Sequence, residues 1–232
     1  MCSSDLCTIA QWASVQALNG PQDHLPLFRK AFEERRNLAG IVLTHGHEDH
    51  IGAMLDLWPK LKVPVYATPF TAALLTSKLL GEPGAPEIPI TVVPLGSRFK
   101  VGPFDVELVS VAHSIPESNA LILRTPFGNV LHTGDWKLDP TPVIGPPTDE
   151  AKLRRLGEDG CLVLIGDSTN AVREGRSPSE SDVAKTLAKL IANAPRRVAV
   201  TTFASNVARI RAVADAARLT GREVVVVGRA MH

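Results

Sequence analysis

Four side chains able to bind a metal fall within six consecutive positions: His45, His47, Asp49 and His50, in the stretch THGHEDHIGA from Thr44 to Ala53. Imidazole nitrogens suit zinc and similar divalent ions, and a carboxylate adds negative charge to such a site. The apolar run Gly40-Ile41-Val42-Leu43 precedes the stretch. If that run is a strand, the cluster sits where the strand ends. Alternation then lets His45, His47 and Asp49 project to one side of an extended turn, with His50 opening the next element. The bland alternative is a polar surface loop rich in histidine. The chain has seven histidines and three of them fall here, which weighs against it.

One cluster does not complete a site, and further ligands must come from other strand ends. His113, in VAHSIPESNA, follows a strand ending at Val111, and Asp135, in HTGDWK, follows the strand Val130–His132. A lone loop histidine is more often hydrogen-bonded than ligating, and an aspartate after a glycine can simply make a turn. Beside the cluster both read as ligands, and Asp135 supplies a carboxylate able to bridge two ions. His132 lies within its strand and reads as a supporting residue. Asp167 ends another strand and is either a group that orients a ligand or touches a metal, or a turn cap. His24 and His232 have no supporting context.

The elements that must position these residues follow from apolar periodicity and turn chemistry. A helix is expected over His24–Leu38, a strand at Gly40–Leu43, and a short helix over Ile51–Trp58 stopped by Pro59. A strand follows at Val63–Ala67, then a helix at Thr71–Leu80 and a Pro/Gly-rich loop over Gly81–Pro89. Ile90–Leu95 is a strand. Two hairpins come next, around Gly102-Pro103 and around Pro126-Phe127-Gly128. Asp139–Pro147 holds four prolines and reads as an extended connection. Leu162–Gly166 reads as a buried strand, with Cys161 a small core residue at its start. Pro178–Ala192 is a helix capped near Ser177 or Ser179, with Val183, Leu187, Leu190 and Ile191 as its apolar face. Val198–Thr202 and Val224–Val227 read as strands flanking a helix at Asn206–Leu219. Strands alternating with helices point to an α/β protein.

Composition sets the bounds. The 232 residues, 44% hydrophobic and 21% charged, suit a globular chain of one large or two small domains. No apolar run approaches the ~20 residues of a membrane span. Cys2, Cys7 and Cys161 show no metal-ligand spacing and no even-numbered framework, which fits a reducing compartment. Charge is uneven along the chain. Residues 1–170 carry 14 Lys and Arg against 19 Asp and Glu, a net of −5, while residues 171–232 carry 11 against 5, a net of +6. The basic segment could meet a polyanion, or its excess could lie on solvated helix faces.

THGHEDHIGA resembles the signature of the metallo-β-lactamase superfamily. HSIPESNA, HTGDWKLDPTP, GDSTNAVREGRSPSE, TTFASNVARI and GREVVVVGRAM are similar to motifs of the ribonuclease J family, in its nucleic-acid-processing branch with an inserted β-CASP domain. The resemblance implies a partial αββα sandwich over residues 1–172, followed by the start of a β-CASP α/β domain over 173–232. By the same resemblance His45, His47 and His113 bind one metal, Asp49 and His50 bind a second, and Asp135 bridges both. Asp167 matches the first acidic motif of the branch, so Asp49, Asp135 and Asp167 are the catalytic carboxylates. The cofactors implied are two divalent ions, Zn2+ or alternatively Mn2+, which activate a water for in-line attack on a phosphodiester. The substrate implied is RNA, cut 5′→3′ exonucleolytically and endonucleolytically in the cytoplasm, with no membrane partner and with homo-oligomerisation open to the full-length protein.

The family's N-terminal strands and its two later histidine motifs are missing from the sequence, and the family draws a ligand to the second metal from that later region. The sequence therefore reads as a segment cut at both ends. Two other readings stay open: a small-molecule metallo-hydrolase of the same superfamily, and an inactive fragment.

Overall fold

The computed structural model describes residues 38–228 except Arg173. The helix expected over His24–Leu38 lies outside the described residues but for its last position, and Cys2, Cys7, His24 and His232 lie outside them too. The chain divides into two compact units. Among the described residues, the smaller holds Leu38 and 167–176 except Arg173, and the larger holds 39–166 and 177–228.

In the larger unit β1 (Ile41–Val42), β2 (Val65–Ala67) and β3 (Ile90–Val92) form a parallel sheet in that order. Parallel neighbours need crossovers. α1 (Glu48–Ile51) and α2 (Met54–Leu61) supply the first, and α3 (Pro69–Gly81) supplies the second. A five-stranded sheet follows. β4 (Arg98–Val101), β5 (Phe104–Ser110), β6 (Asn119–Thr125) and β7 (Gly128–His132) run antiparallel as a meander. α4 (Glu150–Asp159) then returns the chain so that β8 (Cys161–Ile165) joins parallel to β7. α5 (Glu180–Asn193) and α6 (Val207–Leu219) pack against each other.

Strand alternation builds the layers. Val106, Leu108 and Leu121 point to one side of the second sheet and meet Val42, Tyr66 and Val93 from the first. Val109, Val111, Ala120 and Ile122 point to the other side and carry Leu153 and Leu156 of α4. The outer face of the first sheet, through Leu43, Val65 and Ala67, carries Met54, Trp58, Ala72 and Leu75 of α2 and α3. The order is α/β/β/α, as the resemblance implies. Each fully buried side chain such as Leu75, Leu108 or Ile122 contributes on the order of 1.5–3 kcal/mol.

Several expectations need correction. The helix expected over Ile51–Trp58 is two helices broken at Gly52-Ala53, and Pro59 lies inside α2 instead of stopping it. The proline sits near the helix end, so the N–H it lacks costs one bond. Lys62 in the left-handed region (φ 49°) ends the helix, and the Trp58 indole pins the turn by donating to the Val63 carbonyl at 2.9 Å. β8 is not buried: Leu162 and Leu164 are 62% and 64% exposed, and Cys161 is exposed as well. Among the described residues β8 pairs on one edge only, and α4 covers β5 to β7 instead.

The runs at Val198–Thr202 and Val224–Val227 form no strands, because neither has a hydrogen-bonded neighbour among the described residues. With Ile210 and Val213 of α6 they line an apolar cavity of about 500 Å³ that none of the candidate ligands borders. On α5, Ile191 is buried but Leu190 is exposed, because the inward stripe runs through Ala184, Leu187 and Ala188. α4 has no counterpart among the expected elements.

Candidate metal centre

β1 ends beneath the histidine cluster. His45 leaves the sheet fully buried, and its Nδ1 shares a hydrogen bond with the Thr44 hydroxyl at 3.0 Å. His47 occupies the N-cap position of α1 in extended conformation (φ −70°, ψ 151°). Asp49 and His50 follow within that helix, so Asp49 belongs to a helical turn and not to the extended run expected of it. Glu48, on the outer side, pairs with Lys78 of α3. The loop after β5 brings in His113, and the loop after β7 brings in Asp135.

The inner nitrogens converge. His45 Nε2 lies 3.1 Å from His47 Nδ1, and His113 Nε2 lies 3.0 Å from the same atom. Asp135 faces two ways. Its Oδ2 lies 3.8 Å from His45 Nε2 and 3.6 Å from His113 Nε2, while Oδ1 lies 3.3 Å from His50 Nε2. Asp49 Oδ2 is 3.7 Å from His50 Nε2, with the Asp49 side chain 75% exposed. Two groups result, His45–His47–His113–Asp135 and Asp49–His50–Asp135, with the ligand atoms of each within 4.8 Å of one another. All six ligands expected from sequence are therefore brought together, and Asp135 belongs to both groups.

The donor set fits divalent ions. With His47 Nδ1 about 3 Å from the inner nitrogens of both His45 and His113, the three imidazoles cannot all carry inward protons, so lone pairs are left facing inward. The outer nitrogens of His45 and His47 have protein partners instead, Thr44 and the Ser205 carbonyl at 3.3 Å. That arrangement is the one metal-binding histidines need. Electrostatics agree. Burial foremost, with the neighbouring His50, His113 and His47, lowers the His45 pKa to about 2. Burial also lowers His47, against the raising effects of the Ser205 hydrogen bond and of Asp49 and Asp135. Both shifts favour the neutral ring, the form that ligation requires.

Residues beyond the sequence-based set hold these loops. Asn119 is buried, and its backbone N–H donates to the Thr44 carbonyl at 3.1 Å. Gly134 sits in the left-handed region (φ +57°), where a Cβ would come within 2.8 Å of the Asn119 carbonyl oxygen. Its N–H donates to His132 Nδ1 at 3.1 Å, so the expected supporting role of His132 is to hold the turn that presents Asp135. Gly134→Ala should cost about 2 kcal/mol through the disfavoured φ and the clash, and should weaken metal binding. Thermal denaturation with and without zinc measures both effects.

A second set of contacts ties the Asp135 loop to α5. Lys137 donates its backbone N–H to the Ala112 carbonyl at 2.9 Å and its Nζ to the Pro178 carbonyl at 2.7 Å. The buried Asp139 carboxylate accepts from Ser179 Oγ at 2.6 Å, the Glu180 N–H at 2.8 Å and the Thr141 N–H at 3.0 Å. Burial alone would raise its pKa, but these hydrogen bonds and Lys137 bring it below the ordinary carboxylate value. Asp139→Ala strands several donors and should destabilise the chain by about 2–3 kcal/mol in urea titrations, whereas Asp139→Asn should lose less. The signal in the sequence was only an aspartate inside a proline-rich stretch.

Asp167 belongs to the smaller unit. There its Oδ1 accepts from the Thr169 N–H at 2.9 Å and the Thr169 hydroxyl at 2.7 Å, which forms a turn. Neither ligand group among the described residues includes it.

The model of the β-lactamase superfamily domain matches residues 14–167, and that of the ribonuclease J β-CASP domain matches residues 195–232. A ribonuclease J of Sinorhizobium meliloti is 58% identical over 199 residues, covering 86% of this chain and 35% of that protein. A ribonuclease J of Thermus thermophilus is 43% identical over 216 residues, covering 89% of this chain and 37% of that protein. The chain thus spans about a third of the length of these curated relatives. A crystal structure of a protein of unknown function from Enterococcus faecalis V583 matches with a TM-score of 0.56 and 22% identity, over 76% of this chain and 44% of that one, and so shares the fold. With its ligand cluster inside the first matched region and its basic segment entering the second, the chain belongs to the metallo-β-lactamase superfamily, in its ribonuclease J branch.

Proposed function

We propose that the chain carries the metal centre of a ribonuclease that hydrolyses RNA phosphodiester bonds, 5′→3′ exonucleolytically and endonucleolytically, in the cytoplasm. The observation that carries the metal part is Asp135, whose two oxygens face two different ligand groups. The RNA part is supported by the names of the relatives and by the net +6 charge of residues 171–232, which suits a phosphate backbone. No helix among the described residues is long and apolar enough to cross a membrane. The superfamily domain runs to residue 172 in this reading, and the β-CASP part begins at 173.

His45, His47, His113 and Asp135 would hold one divalent ion, zinc foremost with manganese as the alternative. Asp49, His50 and Asp135 would hold the second. The first group is deeper and has four donors, so it binds more tightly than the second, where Asp49 is open to solvent. Bound there, divalent ions supply water activation at neutral pH and neutralise charge on the attacking and leaving oxygens. Within the chain, Thr44 and Ser205 fix the rings, Gly134 presents Asp135, and the basic segment holds the RNA backbone. None of the six ligands is needed as a nucleophile. Asp167 serves as a further acidic group in this reading.

The test is cleavage of a 5′-monophosphorylated single-stranded RNA with added zinc or manganese, using the full-length protein. Cleavage that a chelator stops and His47→Ala abolishes is the expected result. Turnover of a thioester or β-lactam with no RNA cleavage would overturn it.

A further inference from the structure

The two family-matched regions meet at one ring. The acceptor on His47 Nε2 is a carbonyl of Ser205, which lies 158 residues away in the segment TTFASN. A carbonyl oxygen can only accept, so Nε2 must carry the proton. Nδ1 is then left as a lone pair, and Nδ1 is the atom that faces His45 and His113. The Ser114 hydroxyl, 3.4 Å from the same Nε2, could donate or accept and leaves the tautomer open by itself.

Ser205 is held in place from both sides. Its carbonyl also accepts the Val207 N–H at 3.0 Å. The next residue, Asn206, is the N-cap of α6, and its side chain accepts the Arg209 N–H at 2.9 Å. The first turn of α6 is anchored to the loop carrying His113, because the Ala208 N–H donates to the Ser114 carbonyl at 3.1 Å. Ala208 is buried at that contact. The turn from Phe203 to Ala208 therefore touches two of the ligand-bearing loops.

We infer that this turn is a positioning element of the metal centre: the Ser205 carbonyl, fixed by the Asn206 cap, sets the His47 tautomer, so metal affinity in the first matched region depends on the second. The inference rests on the two-metal reading above. Partners of this kind typically contribute ~10–100-fold to metal affinity. Coupling is reciprocal, so bound metal also stabilises the seat of α6.

Zinc affinity by chelator competition, in the full chain and in Asn206→Ala and Asn206→Asp, tests it. Asn206→Ala loses the cap and is expected to bind zinc at least ~10-fold more weakly, while Asn206→Asp keeps a cap acceptor and restores binding. Nitrogen-15 spectra of the metal-free wild-type chain give a readout that does not depend on a variant folding. His47 is expected as the Nε2–H tautomer, becoming mixed in Asn206→Ala. A wild-type His47 protonated on Nδ1 would overturn the inference, as would equal zinc affinity in all three proteins. A wild-type chain that binds no zinc overturns the metal reading itself and the inference with it.

Discussion

In the full-length protein, on the function proposed above, replacing Asp135 with asparagine should lower metal-dependent RNA cleavage by roughly 10³-fold or more, while leaving the fold intact. The change keeps size and shape but removes the charge and one of two equivalent oxygens. In the native geometry Oδ2 serves the His45–His113 side and Oδ1 serves the His50 side. An amide nitrogen cannot ligate, so in the proposed centre one group would lose a donor and the shared carboxylate would no longer serve both. Several kcal/mol of charge stabilisation is the usual contribution of such a centre, which sets the size of the effect. The side chain is about one-third exposed, so the cost in stability should be small. Single-turnover cleavage together with a thermal melt separates the two effects. Full activity in this variant would contradict the assignment of Asp135 as the bridge.

The metal-free chain should lose about 2 kcal/mol of stability between pH 7 and pH 5. The His45 pKa is lowered from 6.5 to about 2, with burial as the main cause. Below pH 6.5 the unfolded chain takes up a proton at this ring and the folded chain does not. Stability is therefore complete above 6.5 and falls as pH drops toward 2, by about 1.4 kcal/mol per pH unit for this group. His47 is shifted in the same direction and adds to the slope. Carboxylates such as Asp139, whose pKa lies below the ordinary value, contribute only at lower pH. Urea midpoints in chelator at pH 7, 6 and 5 measure the slope, and a flat profile would remove the buried neutral imidazole from the account.

How much of this was legible in the sequence depended on the range of the contacts. The six candidate ligands could be found because four crowd into one short stretch after β1, because His113 and Asp135 lie just beyond the ends of β5 and β7, and because histidine and aspartate are chemically distinctive there. The strands of the second sheet were legible from alternation, as in β5, where Val106 and Leu108 face one way and Val109 the other, whereas the sandwich they build was implied only by the family resemblance. α4 was not, because a ten-residue helix held by Leu153 and Leu156 shows too little apolar periodicity. Its start signal is the Asp149 cap, which accepts the Lys152 N–H at 2.9 Å. Pro59 misled because a stop rule was applied where the helix was already closing. β8 misled because an apolar run predicts burial only when something covers it.

The supports of the site were the least legible part. Ser205, Asn119 and Asp139 act through backbone groups or through partners roughly 40 to 160 residues away, and no local pattern reports such pairs. Their residue types are also ordinary: a serine, an asparagine and an aspartate in loops. Thr44 was within reach, since it adjoins His45 and its hydroxyl meets the ring.

The most direct test of the central claim is a count of bound ions. The chain is loaded with zinc, desalted and analysed for metal per polypeptide, beside Asp135→Asn treated identically. Two groups sharing one carboxylate predict about two ions in the wild-type chain and at most about one in the variant. A wild-type chain that retains no zinc, or a variant that retains as much as the wild type, would contradict the account.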